Sequence, residues 1–408
     1  MKKLAVVYAG WGERFVLAHL GDNGSQLLFE YTPEALTRGL ELSSLNLKLS
    51  PYAYDGFPPH QYRLPGLIAD ALPDGWGLVL QDKLFRKRGW DPARLSPLDR
   101  LAFVGDRAMG ALMFEPSNAE ELEKADVELL TLAREVQDFL SDDGAEVLRR
   151  LAVMGGSPQG ARPKVLVNYD PVSGRMTNSE DGPGSPWLVK FQGGSEHKEV
   201  CAIEAAYAVL ARDCGLDMPE TAWFDLDTKL AAFGIARFDR EGGLRVPVHT
   251  VAGALNANFR IPSSVDYTSM LRLTGFMTRD VRETLKAYER CVFNVIFHNR
   301  DDHAKNFSFR MNERGQWRFS PAYDLTFSEG PGGEHQMDIC GEGRAPAKAD
   351  LLELASQTNI KRGDAITAIE RISAVAGDFT QTARRFPIRK ATVEQIAKKI
   401  NINRSRMA

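Results

Sequence analysis

The chain has 408 residues, 43% hydrophobic and 26% charged, with a formal net charge of −3. That length predicts two or three domains and a sizeable core, and the slightly acidic balance speaks against a broad nucleic-acid footprint on this chain alone, which takes a basic surface. No apolar run in the sequence is long enough to span a bilayer, and the four cysteines, Cys201, Cys214, Cys291 and Cys340, form no CxxC pair, which reads as buried thiols of a reducing cytoplasm rather than zinc ligands or disulfides.

Met1-Lys2-Lys3 and the short apolar run Leu4 to Ala9 meet Gly12-Glu13-Arg14 where a signal peptide would have its cleavage region, so they read as a first strand. Residues 14–20 and 26–31 follow as strands around the turn Gly21-Asp22-Asn23-Gly24. Ser96-Pro97 predicts a helix start, serine capping and proline at the first helical position. Met109 to Phe114 predicts a closing strand. Pro116-Ser117-Asn118 and the acidic residues Glu120, Glu121 and Glu123 then mark a boundary.

Residues 127–152 read as two helices. The loop Gly155-Gly156-Ser157-Pro158-Gln159-Gly160 leads into a strand at Lys164-Val165-Leu166-Val167, and after a turn-rich stretch (170–186) comes a second strand, Trp187 to Phe191. A helix at 198–212 and strands near 221–225 and 232–238 complete this part. From about 265 the pattern is mainly helical, broken by one hairpin. The expected division is 1–116, 117–265 and 266–408.

The chemistry concentrates in Phe297-His298-Asn299-Arg300-Asp301-Asp302-His303-Ala304-Lys305-Asn306. A helix with Leu285, Tyr288, Val292, Val295 and Ile296 at helical spacing precedes it, and a predicted hairpin around Asn312-Glu313-Arg314-Gly315 separates it from Tyr323-Asp324-Leu325. The order helix, Asp-x4-Asn loop, hairpin, Asp is that of protein kinases. Phosphoryl transfer needs a carboxylate to orient the attacking hydroxyl, the role read for Asp301. It also needs hard oxygen ligands for Mg²⁺, read for Asn306 and Asp324. The same segment also admits a polar helix-capping turn, or a metal hydrolase using His298, Asp301, Asp302 and His303, although the other histidines form no second ligand motif.

Upstream, Gly155, Gly156 and Gly160 around Ser157 would let backbone N–H groups approach phosphates, although neither the Walker nor the kinase glycine pattern is present; a plain surface loop is the alternative. Lys190 reads either as an edge-strand lysine with its ammonium in water or as a phosphate contact. Glu204 reads either as its ion-pair partner or as a solvated helix residue.

Beyond these motifs the chain resembles the HipA family, the serine/threonine kinase toxins of type II toxin–antitoxin pairs. The resemblance runs over nearly the whole length. It rests on Leu95-Ser96-Pro97-Leu98-Asp99-Arg100-Leu101, Gly110-Ala111-Leu112-Met113-Phe114, Gly160-Ala161-Arg162-Pro163-Lys164, Arg237-Phe238-Asp239-Arg240, Asn299-x-Asp301-x-His303-Ala304-Lys305-Asn306-Phe307-Ser308 and Tyr323-Asp324-Leu325. It implies an α+β, two-lobed, protein-kinase-like fold with a β-rich N-terminal subdomain and an all-α C-terminal portion. ATP and Mg²⁺ would be the cofactors. Asp301 would be the base, Asn306 and Asp324 the metal ligands, Lys190 the strand lysine on the phosphates, and Gly160 to Lys164 part of the phosphate loop. Ser157 falls where the family has an autophosphorylated serine that shuts the kinase down, and Pro158, directly after it, departs from the pattern by stiffening the loop. The implied partners are a helix-turn-helix antitoxin of the HipB type, through which alone DNA would be engaged, and a protein substrate, aminoacyl-tRNA synthetases being among the family's targets. No membrane partner is implied. Two other readings remain: a small-molecule phosphotransferase of the aminoglycoside or choline kinase kind, and a non-catalytic scaffold for antitoxin and DNA.

Overall fold

A computed structural model of the chain describes residues 1–118, 122–141, 145–155 and 158–408; Glu120, Glu121, Gly156 and Ser157 lie outside the described residues. The chain forms two compact units. The first comprises Met1–Lys198, Ala222–His249 and Gly253–Asn256, and the second Glu199–Thr221, Thr250–Ala252 and Ala257–Ala408.

The first unit begins with an antiparallel sheet of β1 (Lys2–Tyr8), β2 (Phe15–Asp22), β3 (Leu27–Tyr31) and β4 (Leu112–Glu115), in the order β3-β2-β1-β4. Ser96 caps the helix Pro97–Val104 as its sequence predicts. Its Oγ accepts the Leu98 N–H at 3.2 Å, while Asp99 Oδ2 accepts the Ser96 N–H at 2.9 Å. The closing strand starts at Leu112, later than the expected Met109. The reason is Gly110, which takes φ +77° and turns its N–H onto the buried Asp239 carboxylate at 2.7 Å, making a corner where the sequence reads as strand.

The second sheet of this unit contains β5 (Lys164–Tyr169), β6 (Met176–Thr177), β7 (Ser185–Phe191), β8 (Thr221–Asp225) and β9 (Ala231–Ala236), in the order β6-β5-β7-β9-β8. Side chains alternate across it. Val165, Val167, Trp187, Val189 and Phe191 face a core shared with Trp76 and Leu80 of the helix Gly75–Lys87, Leu132 and Val136 of Leu129–Ser141, and Leu148 and Leu151 of Ala145–Gly155. Lys164 and Lys190 fall on the opposite face.

A relay of Ser43, His249 and Asp70 lies elsewhere in this unit. His249 Nδ1 is 2.7 Å from Asp70 Oδ2, and its Nε2 is 3.0 Å from the Ser43 hydroxyl. In the neutral ring, Nδ1–H donates to the carboxylate and Nε2 accepts from the serine. The connectivity is that of a hydrolase triad, but His249 is 0% and Ser43 3% exposed, which closes the serine to any acyl substrate. Around it the backbone is tightly apposed: a Cβ on Gly66 would lie 1.9 Å from the Gly253 carbonyl oxygen, and one on Gly253 would lie 2.4 Å from Asp70 Oδ2. The relay therefore fastens distant segments together.

The second unit is built from the helices Glu199–Asp213, Tyr267–Thr278, Val281–Ile296, Lys348–Gln357, Arg362–Ala376 and Lys390–Ser405, with the expected hairpin of Ser308–Met311 and Trp317–Phe319. Tyr207 lies edge-on to Phe293, Phe297 and Phe379 at its centre, and its hydroxyl donates to the Phe297 carbonyl at 2.6 Å. That bond fixes the point where the helix Val281–Ile296 ends. Cys201, Cys214 and Cys291 are buried, Cys340 is partly exposed, and all four are free thiols. Among the described residues no helix is long and apolar enough to cross a membrane.

If the Ser43–His249–Asp70 relay is structural, His249→Ala removes both hydrogen bonds of a fully buried ring together with its packing and should cost about 2–4 kcal/mol in denaturant unfolding, while wild-type Ser43 should resist fluorophosphonate labelling. A labelled serine, or a loss well under about 1 kcal/mol, would contradict this.

Candidate active site

The loop 297–306 leaves its helix through His298, whose φ of +56° turns the chain. The Asn299 N–H returns to the Asn294 carbonyl at 2.9 Å. Arg300 N–H donates to Ser328 O at 3.2 Å and Ser328 N–H to His298 O at 3.1 Å. These two bonds splice the loop to the stretch just beyond Asp324. The Asp301 side chain is 53% exposed, with its carboxylate 3.9 Å from His303 Nε2.

Asn306 is buried and donates Nδ2 to the Asp301 carbonyl at 2.7 Å. An acceptor there can only face the amide nitrogen, which leaves Oδ1 as the atom available to a metal. The hairpin then delivers Tyr323, whose hydroxyl donates to the Lys305 carbonyl at 2.8 Å and is also hydrogen-bonded to Ser308 Oγ. Asp324 thus follows a residue anchored beside Asn306. Its φ of +57° is a left-handed conformation that few non-glycine residues adopt outside constrained sites. One carboxylate and one amide oxygen, supplemented by phosphate oxygens, match the sparse protein ligation that Mg²⁺ takes. Among the described residues there is no cluster of three His, Cys, Asp or Glu side chains that could hold a metal ion.

The hydrolase reading of the same loop does not survive. His298 Nδ1 accepts from Asn403 Nδ2 at 3.1 Å, so its Nε2–H donates to Glu329 at 3.0 Å. Asp302 turns inward and is 1% exposed. Neither is presented as a ligand beside Asp301 and His303.

In the first unit, strand pairing sets Lys164 directly opposite Lys190, with Phe233 next in the row. Both lysines are buried, at 3% and 8% exposure. Because β7 is an inner strand, Lys190 is not an edge residue with its ammonium in water. Like charges directly opposite each other on a sheet are destabilising unless an anion offsets them.

Lys164 Nζ donates to the Gln159 carbonyl. Gly160, at φ +106°, gives its N–H to Asp74 Oδ1 and its carbonyl to the Trp76 N–H at 3.0 Å, and Gln159 Nε2 donates to the Asp70 carbonyl at 2.9 Å. Gly155 ends a helix where a Cβ would lie 2.3 Å from the Lys164 carbonyl oxygen, so its lack of a side chain serves close packing. Exposed Ala161 follows Gly160. Gly156 and Ser157 lie outside the described residues. Glu204 sits on the helix Glu199–Asp213 at 2% exposure, which rules out the solvated reading.

The structure thus brings together Asp301 and Asn306 directly, Asp324 through Tyr323, and Lys164 with Lys190 and Gly160. Sequence reasoning missed Asp74 and the anchoring role of Tyr323, which it named only as part of a motif, because their partners lie 86 and 18 residues away in the chain.

The chain belongs to the HipA family. The HipA-like C-terminal domain matches residues 156–400 and the HipA N-terminal domain residues 11–115. A relative from Sinorhizobium fredii, named "Putative kinase Y4dM", is 26% identical over 284 residues, covering 66% of this chain and 63% of its own length. The chain therefore matches a little under two thirds of that relative. HipA of Shewanella oneidensis MR-1, solved with HipB and operator DNA, superposes with a TM-score of 0.72 at 18% identity, over 99% of this chain and 96% of that one, which establishes a shared fold. The expected α+β, kinase-like class is met.

Burial lowers the His298 pKa from 6.5 to about 4, the nearby Arg300 and Lys399 charges pushing the same way and the Glu329 hydrogen bond opposing. Above pH 6.5 the ring is neutral folded and unfolded, and there is no effect. As pH falls from 6.5 towards 4 the unfolded chain takes up a proton that the fold refuses, so stability drops by up to about 3 kcal/mol. Thermal melts across this window should fall less steeply for His298→Gln than for wild type; parallel slopes would exclude the residue as a source.

Proposed function

We propose that this chain is an ATP- and Mg²⁺-dependent serine/threonine protein kinase of the HipA kind. The observation that carries the reading is the loop geometry. The Asn306 amide, locked on the Asp301 backbone, leaves an oxygen for a metal, and the Asp301 side chain beside it is 53% exposed. Bound Mg²⁺ would neutralise the phosphate oxygens. Asn306 and Asp324 would hold it, and Asp301 would orient the acceptor hydroxyl and take its proton.

Lys164 and Lys190 support a nucleotide-phosphate role for the sheet face they share, and the buried Glu204 is assigned to nucleotide binding. Gly155, Gly156, Gly160 and Ala161 are assigned to the phosphate loop, Gly155 as the close-packed helix end from which it starts; the Gly160 N–H donates to the Asp74 carboxylate, which a bound phosphate would have to replace. On this reading residues 1–116 form the N-terminal subdomain, 117–265 carry the nucleotide and 266–408 the catalytic loop. The protein would act in the cytoplasm with a HipB-like helix-turn-helix antitoxin, reach DNA through it, and modify a protein, an aminoacyl-tRNA synthetase being one candidate class. A cationic small-molecule acceptor is disfavoured by the flank of the loop. There the Lys305 ammonium and the Arg260 guanidinium both lie over the Phe259 ring, at 4.4 and 4.5 Å from its centroid.

Asp301→Asn should reduce autophosphorylation by at least about 100-fold with ATP affinity nearly unchanged, whereas Asp324→Ala should weaken nucleotide binding in Mg²⁺ but not in EDTA. Calorimetry and phosphate transfer measured side by side test both, and near-wild-type transfer by Asp301→Asn would sink the assignment.

Ser157 is the proposed autophosphorylation site. A phosphate adds about −1.5 to −2 charge and would compete with ATP phosphates for the same backbone donors. Incubation with Mg·ATP should yield a Ser157 phosphopeptide and a form that binds ATP poorly. An active kinase whose Ser157 stays unmodified would remove this switch and leave the kinase reading standing.

A further inference from the structure

Immediately after Asp301, the Asp302 carboxylate is buried and accepts three hydrogen bonds. Tyr267 Oη and His335 Nδ1 donate to Oδ2, each at 2.7 Å, and the Gln336 N–H donates to Oδ1 at 2.8 Å. The Tyr267 oxygen in turn accepts from Asn294 Nδ2 at 3.0 Å, and Asn294 Oδ1 accepts from Asn299 Nδ2 at 3.0 Å. A continuous line of buried polar side chains therefore runs from Asn299 to His335, all at 2% exposure or less. It joins the helices Tyr267–Thr278 and Val281–Ile296 to the candidate loop. Burial, reinforced by the Asp302 charge, raises the Tyr267 pKa well above its usual value and keeps the hydroxyl a donor.

The loop is thus held on both sides of the Asp301 side chain. On one side the Asn306 amide grips the Asp301 carbonyl. On the other, Asp302 is drawn into the interior, and Asp301 is the residue left facing out. The geometry points to Asp302 as a positioning residue for Asp301, one that fixes the direction of the Asp301 carboxylate without touching substrate or nucleotide; this rests on the phosphotransferase reading above. Displacing a reacting group by about 1 Å costs on the order of 100-fold in rate, so a buried anchor one residue away has leverage on turnover and little on nucleotide affinity.

Asp302→Asn is nearly isosteric but offers one acceptor oxygen and one NH₂. Either the Gln336 N–H or the Tyr267 and His335 donors must then face another donor. Two readouts on the full chain decide. Amide hydrogen exchange across residues 299–306 of the nucleotide-free protein should speed up at least about 10-fold, and single-turnover transfer should slow about 10–100-fold while the Mg·ATP dissociation constant stays within about threefold. Exchange as slow as wild type, or transfer within about twofold, overturns the proposal. Should Asp302→Asn not fold, Tyr267→Phe, which removes a single donor, takes its place with the same readouts. Faster exchange and slower transfer at unchanged nucleotide affinity support the role, and wild-type behaviour in either overturns it. If the wild-type protein transfers no phosphate at all, the kinase reading falls by itself, and loop exchange alone then shows whether Asp302 sets the loop.

Discussion

A carboxylate cannot be taken out of water without donors to replace its hydration, and at Asp302 three donors arrive from two separate stretches of chain. Once that group is satisfied, the course of the loop has little freedom. Asp301 faces out, the 304–306 turn closes, and the Asn306 amide reaches back to the Asp301 carbonyl. Tyr323 extends the same constraint to Asp324 by donating to the Lys305 carbonyl, so the two ends of the proposed metal site are referenced to one backbone segment.

The legible parts of this protein were those whose signals are local. The first three strands, the Ser96-Pro97 helix start, the paired helices before residue 155 and the hairpin after Asn306 each depend on alternation, capping or turn chemistry within a few residues. The order of the candidate catalytic residues was legible for the same reason. The support of the loop was not. Asp302 lies 35 residues from Tyr267 and 33 from His335, and its sequence neighbours suggested a ligand rather than an anchor. Glycine was equally ambiguous: Gly155 resembled part of a phosphate loop, yet its missing side chain makes room for the Lys164 backbone. Gly110 shortened a strand through a bond to Asp239, 129 residues away.

The five-stranded sheet shows how one element serves two purposes. Its period of two sends Val165, Val189 and Trp187 into an apolar core and Lys164 and Lys190 to the other side. The rigidity that comes from packing one face is what allows two lysines to be held in register on the other, a placement that mobile surface side chains would avoid. A one-residue slip of β7 would turn Lys190 into the core and Trp187 out of it, so the register of this strand is strongly specified.

The interleaving of the two units has a consequence for biosynthesis. The first is interrupted by Glu199–Thr221 and Thr250–Ala252, and its last segment is Gly253–Asn256. A nascent chain emerging from the ribosome cannot finish it until about residue 256 has cleared the exit tunnel. By then two pieces of the second unit have emerged without the helices they pack against. Completion of the first unit is therefore deferred until its last short segment is out, and a single cut cannot yield either unit as an intact fragment. A chain arrested after Asp213 has emerged but before Thr221 would expose a sheet lacking β8 and β9 and an unpartnered Glu199–Asp213 helix, both open to chaperone capture.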